Sequence, residues 1–307
     1  MSKYLIINAD GYGFTRGINR GIEEATARGV ITSISVNANF EAAEELPRFV
    51  KQFPHISVGV HVNPVVGRPV SNPSDIPSLV TRDGDFHYKE FARRLMRKEI
   101  DLHELAYELS AQIQRVRAWG VDISHLDSHQ NQHLYPPFFQ VFIALLQQHH
   151  IACMRTHAHF MIADSRHPRF ASLLFYLRHP YRFITHSWTR YEMGLARKQG
   201  VLMADRLMST QHTGDKAVLE RWLQLLRNVP EGWSEVFCHP AYPDEELRRW
   251  ATYVEQRRTE IEVMTSRKTK DEIARRGIVL RSFYDLRKAR WARLEAGSQK
   301  LEAGKQR

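Results

Sequence analysis

The sequence predicts an α/β protein assembled from parallel strand–helix units, and three observations point there. Short β-prone runs at Tyr4–Asn8, Ile31–Ala38 and Ile56–Asn63 are separated by helical stretches at 19–28 and 41–52, the alternation that parallel βαβ units produce. The first run ends in Asp10-Gly11-Tyr12-Gly13, which delivers a carboxylate to the end of a buried strand and turns the chain sharply into a helix. His61, the Asp127/His129 pair and His239 then fall at the ends of later strands, where active sites of parallel α/β folds assemble.

Each element has its own signal. Gly29 ends the helix 19–28, and Pro54 closes the amphipathic helix 41–52. In the third strand Val58, Val60 and Val62 share one face and Gly59, His61 and Asn63 the other. Residues 64–87 carry Pro64, Pro69, Pro73, Pro77 and the turn Asp83-Gly84, too long for a plain connector and read as an active-site wall. A helix at 101–119 precedes the strand from Ile123, which sets His125, Asp127 and His129 on one face. Pro136 and Pro137 open a helix through Gln148, and 151–157 reads as a strand. Helices near 215–228, 245–262 and 267–276 alternate with strands at 235–239 and 278–282.

Two stretches break the rhythm. Residues 158–200 interleave aromatics with arginines (Phe170, Tyr176, Arg178, Tyr181, Arg182, Phe183, Trp188, Arg190, Tyr191). This reads as a helical insertion whose aromatics pack on the domain, or as a lid or patch for a lipid-linked or anionic substrate at a membrane surface. Beyond residue 286 a basic tail, a frayed or disordered helix, repeats Leu-Glu-Ala-Gly without catalytic duty. The expectation is one domain over residues 1–286, with the insertion inside it.

Composition bounds the function. The 307 residues carry 44 Lys and Arg against 34 Asp and Glu, a formal charge of +10, which favours anionic surfaces without choosing among them. No finger, helix-turn-helix or RNA-binding motif appears, so no nucleic-acid partner is expected. No run approaches the roughly eighteen apolar residues of a membrane span. Cys153 and Cys238 are too few for a disulfide framework, and no leader pattern opens the chain. The expected location is cytoplasmic, with peripheral contact to the inner membrane surface as the variant that the arginine-rich stretch suggests. Homodimerisation is left open.

The constellation Asp10, His61, Asp127, His129 and His239 has metal-site chemistry: two imidazoles and a carboxylate give three protein ligands with a position open for water. Asn8-Ala-Asp-Gly-Tyr-Gly-Phe-Thr-Arg-Gly-Ile-Asn-Arg-Gly-Ile22, Val58-Gly-Val-His-Val-Asn63, His125-Leu-Asp-Ser-His-Gln130 with His133, and Cys238-His-Pro-Ala-Tyr242 together resemble the ordered motifs of YdjC-like carbohydrate deacetylases. That family includes chitooligosaccharide deacetylase and hopanoid-associated members, and the resemblance runs from residue 4 to about 284. It implies a distorted (β/α) barrel that removes acetyl groups from N-acetylated sugars with a divalent metal, magnesium or zinc. It carries the histidine ligands over to His61 and His129, the catalytic acid to His239, and the first aspartate of a paired-aspartate motif to Asp10.

One departure stands out: the family usually reads Asn-Ala-Asp-Asp-Phe-Gly, and its second acid, normally a metal ligand, is Gly11 here. Asp10 takes over as ligand, or water or another acid such as Asp127 fills the gap, or metal and activity are lost. The intact histidine motifs favour a retained metal, with Asp10 as general base or ligand. Asp127 then orients His129 or His125 as an outer partner. Arg155 either recognises the substrate or pairs with an acid; Tyr12 and Phe14 either stack on a sugar or pack. Two rivals remain: a metal-dependent hydrolase of a different bond, and a catalytically impaired carbohydrate- or membrane-surface-binding relative.

Overall fold

The computed structural model describes residues 2–160, 176–208 and 218–290. Its centre is a parallel sheet made of β1 (Lys3–Tyr12), β2 (Ser33–Val36), β3 (Ser57–Val62), β4 (Ile123–Ser128), β5 (Cys153–Met154), β6 (His159–Phe160), β7 (Arg206–Met208), β8 (Gly232–Cys238) and β9 (Ile278–Leu280). The strand order is β5-β4-β3-β2-β1-β8-β7-β6, with β9 added beside β1. All these pairings are parallel, and the sheet curls into a half-barrel with helices around it. The α/β barrel-like class expected from the sequence is the one observed.

Strand β1 is the axis. Leu5, Ile6, Ile7 and Ala9 are fully buried, as a strand with both edges paired and both faces covered requires. One edge runs along β8 from Lys3 to Ala9. The other is divided, pairing β9 at Lys3–Leu5 and β2 from Asn8 onward. The first helix, α1 (Arg16–Arg28), starts where the Thr15 side chain accepts from the Ile18 backbone N–H, a cap that satisfies one of the helix's orphan donors. Helices α2 (Leu46–Gln52), α3 (Phe91–Met96), α4 (Leu102–Ala118) and α5 (Pro136–Gln148) follow.

Several boundaries differ from the sequence expectation. The first strand does not turn away at Gly11: it continues to Tyr12 through a register shift against β2, with Gly11 at φ 96°. A bulge re-aims the side chains beyond it. The fourth strand ends at Ser128, so His129 lies past it in a short 3-10 segment rather than on the strand face. Gln130 and Asn131, at φ 54° and 55°, hold that turn in the left-handed region. The strand expected at 151–157 shrinks to Cys153–Met154. The helix expected at 245–262 is two, Glu245–Trp250 and Gln256–Thr265, because tertiary contacts hold Trp250: its carbonyl accepts from Tyr88 Oη at 2.8 Å and the two rings meet edge to face at 5.9 Å. Of the 158–200 stretch, residues 161–175 lie outside the described residues; the rest holds β6 and the helix Pro180–Lys198. The tail beyond 290 also lies outside them.

The loop at 64–87 is not the wall it was expected to be. None of its residues lines the cavity described below, among the described residues. It is tied instead to α4, where Glu108 accepts from the Val70 and Ser71 N–H groups at 3.0 and 2.8 Å and Glu104 from Ser78 N–H at 2.8 Å.

A tight contact braces β3 against β4. A Cβ built on Gly59 would stand 2.3 to 2.6 Å from three atoms of the His125 ring, and that ring is stacked on Phe283 with centroids 3.7 Å apart. It has no room to retreat, so Gly59→Ala is expected to destabilise the protein by about 1–3 kcal/mol. A urea midpoint unchanged from the parent would show that the ring yields freely.

Candidate active site

The C-terminal ends of β1, β3, β4 and β8 open into one cavity of about 270 Å³. Asp10, His61, His129 and His239 all line it, and three further segments supply its walls. Tyr88 comes from just past the long loop, Trp250–Tyr253 from the break between the two helices, and Arg257 from the second of these. Sequence reasoning missed these walls, since they sit on no repeating strand–helix unit.

Beneath the cavity lies a charge cluster centred on Arg155, which is 1% exposed. Its Nη1 and Nη2 donate to Asp10 Oδ2 and Oδ1 at 2.7 and 2.6 Å, and Nη2 also stands 2.8 Å from Asp127 Oδ2. Its Nε donates to Glu235 Oε1 at 2.8 Å, and its guanidinium lies 4.9 Å from the centre of the Phe237 ring. The planar five-donor fork of arginine suits this arrangement as a lysine ammonium would not. Of the two sequence-level alternatives for Arg155, the structure displays the pairing with acids. Glu235 was missed, although a carboxylate in a β-prone stretch, directly before the apolar run Val236-Phe237-Cys238, was a legible signal.

The electrostatics follow from burial and this one cation. Burial alone would push the Asp10 carboxyl up; Arg155 outweighs it and holds the group below the ordinary carboxylate range. Burial likewise opposes the ionised form of Asp127, and Arg155 and His61 again pull its pKa down. Glu235 receives less: burial pushes it up to about 7 despite Arg155. Asn8 Nδ2 adds a bond to Asp10 Oδ1 at 2.7 Å, and Ser35 Oγ donates to Asp127 Oδ2 at 2.9 Å.

Asp127 in turn fixes His61, whose Nδ1 lies 2.9 Å from Asp127 Oδ1. An ionised carboxylate only accepts, so Nδ1 donates to it, and Nε2 is the ring nitrogen that this bond leaves unused. The His129 ring stands edge to face with that of His61, centroids 5.6 Å apart, and lies along Phe14 at 5.8 Å. Burial first, then His61 and Arg257, push the His129 imidazole well below its ordinary value, so it is neutral. Two imidazoles facing one cavity suit a divalent cation.

One donor atom each from Asp10, His61 and Asp127 also lies within 4.8 Å of the other two. There, however, the carboxylates already share the Arg155 guanidinium, and a second cation among them would meet its charge. Asn37, 0% exposed at the cavity edge, keeps its Oδ1 without a hydrogen-bond partner.

The remaining predicted residues sit behind this layer. His125 is fully buried beneath Asp127, its Nε2 3.2 Å from Ser35 Oγ and its Nδ1 2.8 Å from Ser124 Oγ. Tyr12 packs: the bulge at Gly11 turns it from the cavity onto Phe49, ring centroids 4.8 Å apart, with its hydroxyl 3.4 Å from Glu23. His239 directly follows β8, whose Ala9–Cys238 pairing with β1 sets it next to Asp10 in register. Its backbone N–H donates to the buried Glu260 at 2.5 Å, while its Nδ1 has no partner. Burial, helped by Arg257, brings the His239 imidazole down to about 3.

A family model described as YdjC-like protein matches residues 4–275. The chain belongs to the YdjC-like family. A carbohydrate deacetylase from Geobacillus stearothermophilus is 32% identical over 290 residues, spanning 93% of this chain and all of that one. A chitooligosaccharide deacetylase from Proteus mirabilis is 32% identical over 295 residues, with the same coverage of 93% and 100%. Among solved structures, one from Enterococcus faecalis V583, titled provisionally a cellobiose-phosphate cleavage protein, superposes with a TM-score of 0.73 at 28% identity. It covers 93% of this chain and 99% of its own.

The buried groups set an acid limit on this YdjC-like fold. Burial brings the imidazoles of His125, His133 and His239 down to about 3 and His159 to about 4, and holds His157 well below its ordinary value. Burial pushes the carboxyls of Glu235 and Glu260 up to about 7 and Glu192 to about 8. Between about pH 6.5 and 4.5 the unfolded chain binds protons on those five imidazoles and on His129, six that the folded chain refuses, and the folded chain binds them on only three carboxyls. The difference, roughly three protons, favours unfolding as pH falls, by up to about 4 kcal/mol per pH unit. Tm of the chelator-treated protein is therefore expected to drop steadily from pH 6.5 to 4.5; a flat profile would contradict this titration scheme.

Proposed function

We propose that this protein is a divalent-metal-dependent N-deacetylase acting on an N-acetylated sugar. The observation that carries the reading is that Asp10, held ionised by Arg155, and His239 end the adjacent strands β1 and β8 in a cavity also lined by the imidazoles of His61 and His129. The deacetylase names of the family relatives support the same chemistry.

His61 and His129 are the residues that would hold the cation, magnesium or zinc. When bound, it supplies polarisation of the acetamide carbonyl and acidification of a water. The chain's own groups do the rest. Asp10 accepts the proton of the attacking water as general base, a role that fits it better than metal ligation because Arg155 engages both its oxygens. Arg155 and Asn8 fix the direction in which that carboxylate faces. His239 is neutral at rest, so the proton that Asp10 takes from the water passes to it, and its imidazole hands that proton to the departing nitrogen, leaving both groups as they began. In balance, the water oxygen joins the acetyl carbon, the C–N bond breaks, and the products are acetate and a free amino sugar. Asp127 engages His61 through Nδ1 and leaves Nε2 unused.

Purified protein supplied with Mg2+ or Zn2+ is expected to release acetate from N-acetylated sugars and no phosphate from sugar phosphates. Asp10→Asn and His239→Ala should each lower kcat by about 10²–10⁴. Full activity in either variant would remove that residue from the mechanism, and phosphate release without acetate would favour a hydrolase of a different bond.

A second observation bears on the substrate's remainder. The helix Pro180–Lys198 exposes Tyr181, Phe183, Ile184, Trp188 and Tyr191. A groove between it and Leu134–Pro136 meets the cavity through Gln130 and Asn131. This favours a lipid-linked or glycolipid acceptor handled at an anionic membrane surface, with Arg182 and Arg190 beside the aromatics. Among the described residues no helix is long and apolar enough to cross a membrane. Flotation with phosphatidylglycerol vesicles at low salt should capture the protein; recovery in the unbound fraction, together with a dimer by sedimentation, would assign the patch to a homodimer instead.

A further inference from the structure

The carboxylate oxygens at the cavity floor are all engaged. Both Asp10 oxygens accept from Arg155, and Oδ1 also from Asn8. Asp127 Oδ1 is bonded to His61, and its Oδ2 accepts from Ser35 and faces Arg155. Among the described residues, one buried oxygen on the cavity wall is not engaged: Asn37 Oδ1. The residue follows β2 directly, and its backbone N–H donates to the Tyr12 carbonyl at 2.8 Å. Its Nδ2 donates to the His61 carbonyl at 3.4 Å, which leaves the amide oxygen as the free end. A buried amide carbonyl without a partner is costly to leave so, and this one faces the cavity, where a ligand can reach it.

Its position answers the departure at Gly11. A Cβ built on residue 11 would stand 3.8 Å from Asn37 Oδ1, so the amide oxygen lies in the neighbourhood that an acidic side chain at position 11 would reach. The backbone there has φ 96°, a conformation that side-chain-bearing residues rarely adopt. The turn is set for glycine, and the lost oxygen donor has a replacement just past the end of the adjacent strand.

We propose that Asn37 Oδ1 is the oxygen ligand of the divalent cation, joining His61 Nε2 and His129 as its three protein donors in place of the acid at position 11. The proposal rests on the metal-dependent reading above. Three protein ligands with a position left open is the pattern of a catalytic site, and amide oxygens are ordinary donors to hard divalent cations. Because all three donors are neutral, more of the cation's charge stays uncompensated than a carboxylate would leave.

The test is metal binding by the full chain, measured apart from turnover. The parent protein, Asn37→Ala and Asn37→Asp are stripped with chelator, compared by Tm, and titrated with Zn2+ and Co2+. Asn37→Ala is expected to keep the parent's apo Tm, to raise the Zn2+ Kd at least about tenfold, and to change the visible spectrum of the bound Co2+. Asn37→Asp should bind at least as tightly as the parent. Zinc Kd within twofold of the parent in both variants, with an unchanged Co2+ spectrum, would overturn the assignment while leaving the metal reading intact. A parent that binds neither ion would overturn both. Should Asn37→Ala fail to fold, the anomalous map of Zn2+-soaked parent crystals decides: Asn37 Oδ1 within about 2.2 Å of the ion supports the proposal, and an amide turned away from it does not.

Discussion

One guanidinium holds this molecule's active end together. Asp10 on β1, Asp127 on β4 and Glu235 on β8 come from three separate strands, and Arg155, just past β5, bonds to all of them. Burying four ionisable groups is costly, and replacing such a cluster by apolar residues is often neutral or stabilising. Its value therefore lies in geometry. With Arg155 in place Asp10 stays charged and fixed, Asp127 stays charged and orients His61, and Glu235 sits near neutrality as the least compensated member.

The imidazoles around the cavity follow from the same economy of charge. Arg155 and Arg257 flank the site, so a protonated His129 or His239 would add to a positive field in a dehydrated place, and both rings stay neutral. Neutral rings are what metal ligation and proton acceptance require. Burial, which would be only a penalty elsewhere, here sets the protonation states.

Much of this was legible in the residues. The parallel architecture followed from the strand–helix alternation, and Asp10, His61, Asp127 and His239 do lie at strand ends, because a period of two and a few flanking glycines specify a strand almost alone. What was not legible depended on tertiary contact. Nothing local announces that His129 lies beyond its strand in a left-handed turn, or that the chain breaks after Trp250, where no glycine or proline stands and the contact with Tyr88 overrides helix propensity. The proline-rich loop was misread for a related reason. Its length suggested function, but its backbone donors are satisfied by Glu104 and Glu108, which makes it a structural strap. Asn37 gave no signal, since an asparagine after a strand is an ordinary turn residue until its unpaired oxygen is seen.

The divided edge of β1 has a consequence for biosynthesis. This strand leaves the ribosome about 220 residues before β8 and still longer before β9, yet those two supply one whole edge and the start of the other. Until they arrive, the nascent chain carries a long strand, buried once folded, only half paired, a condition that slows maturation and invites aggregation. Slower translation at reduced temperature, or a chaperone that shields the waiting strand, is the natural remedy when the protein is produced in quantity.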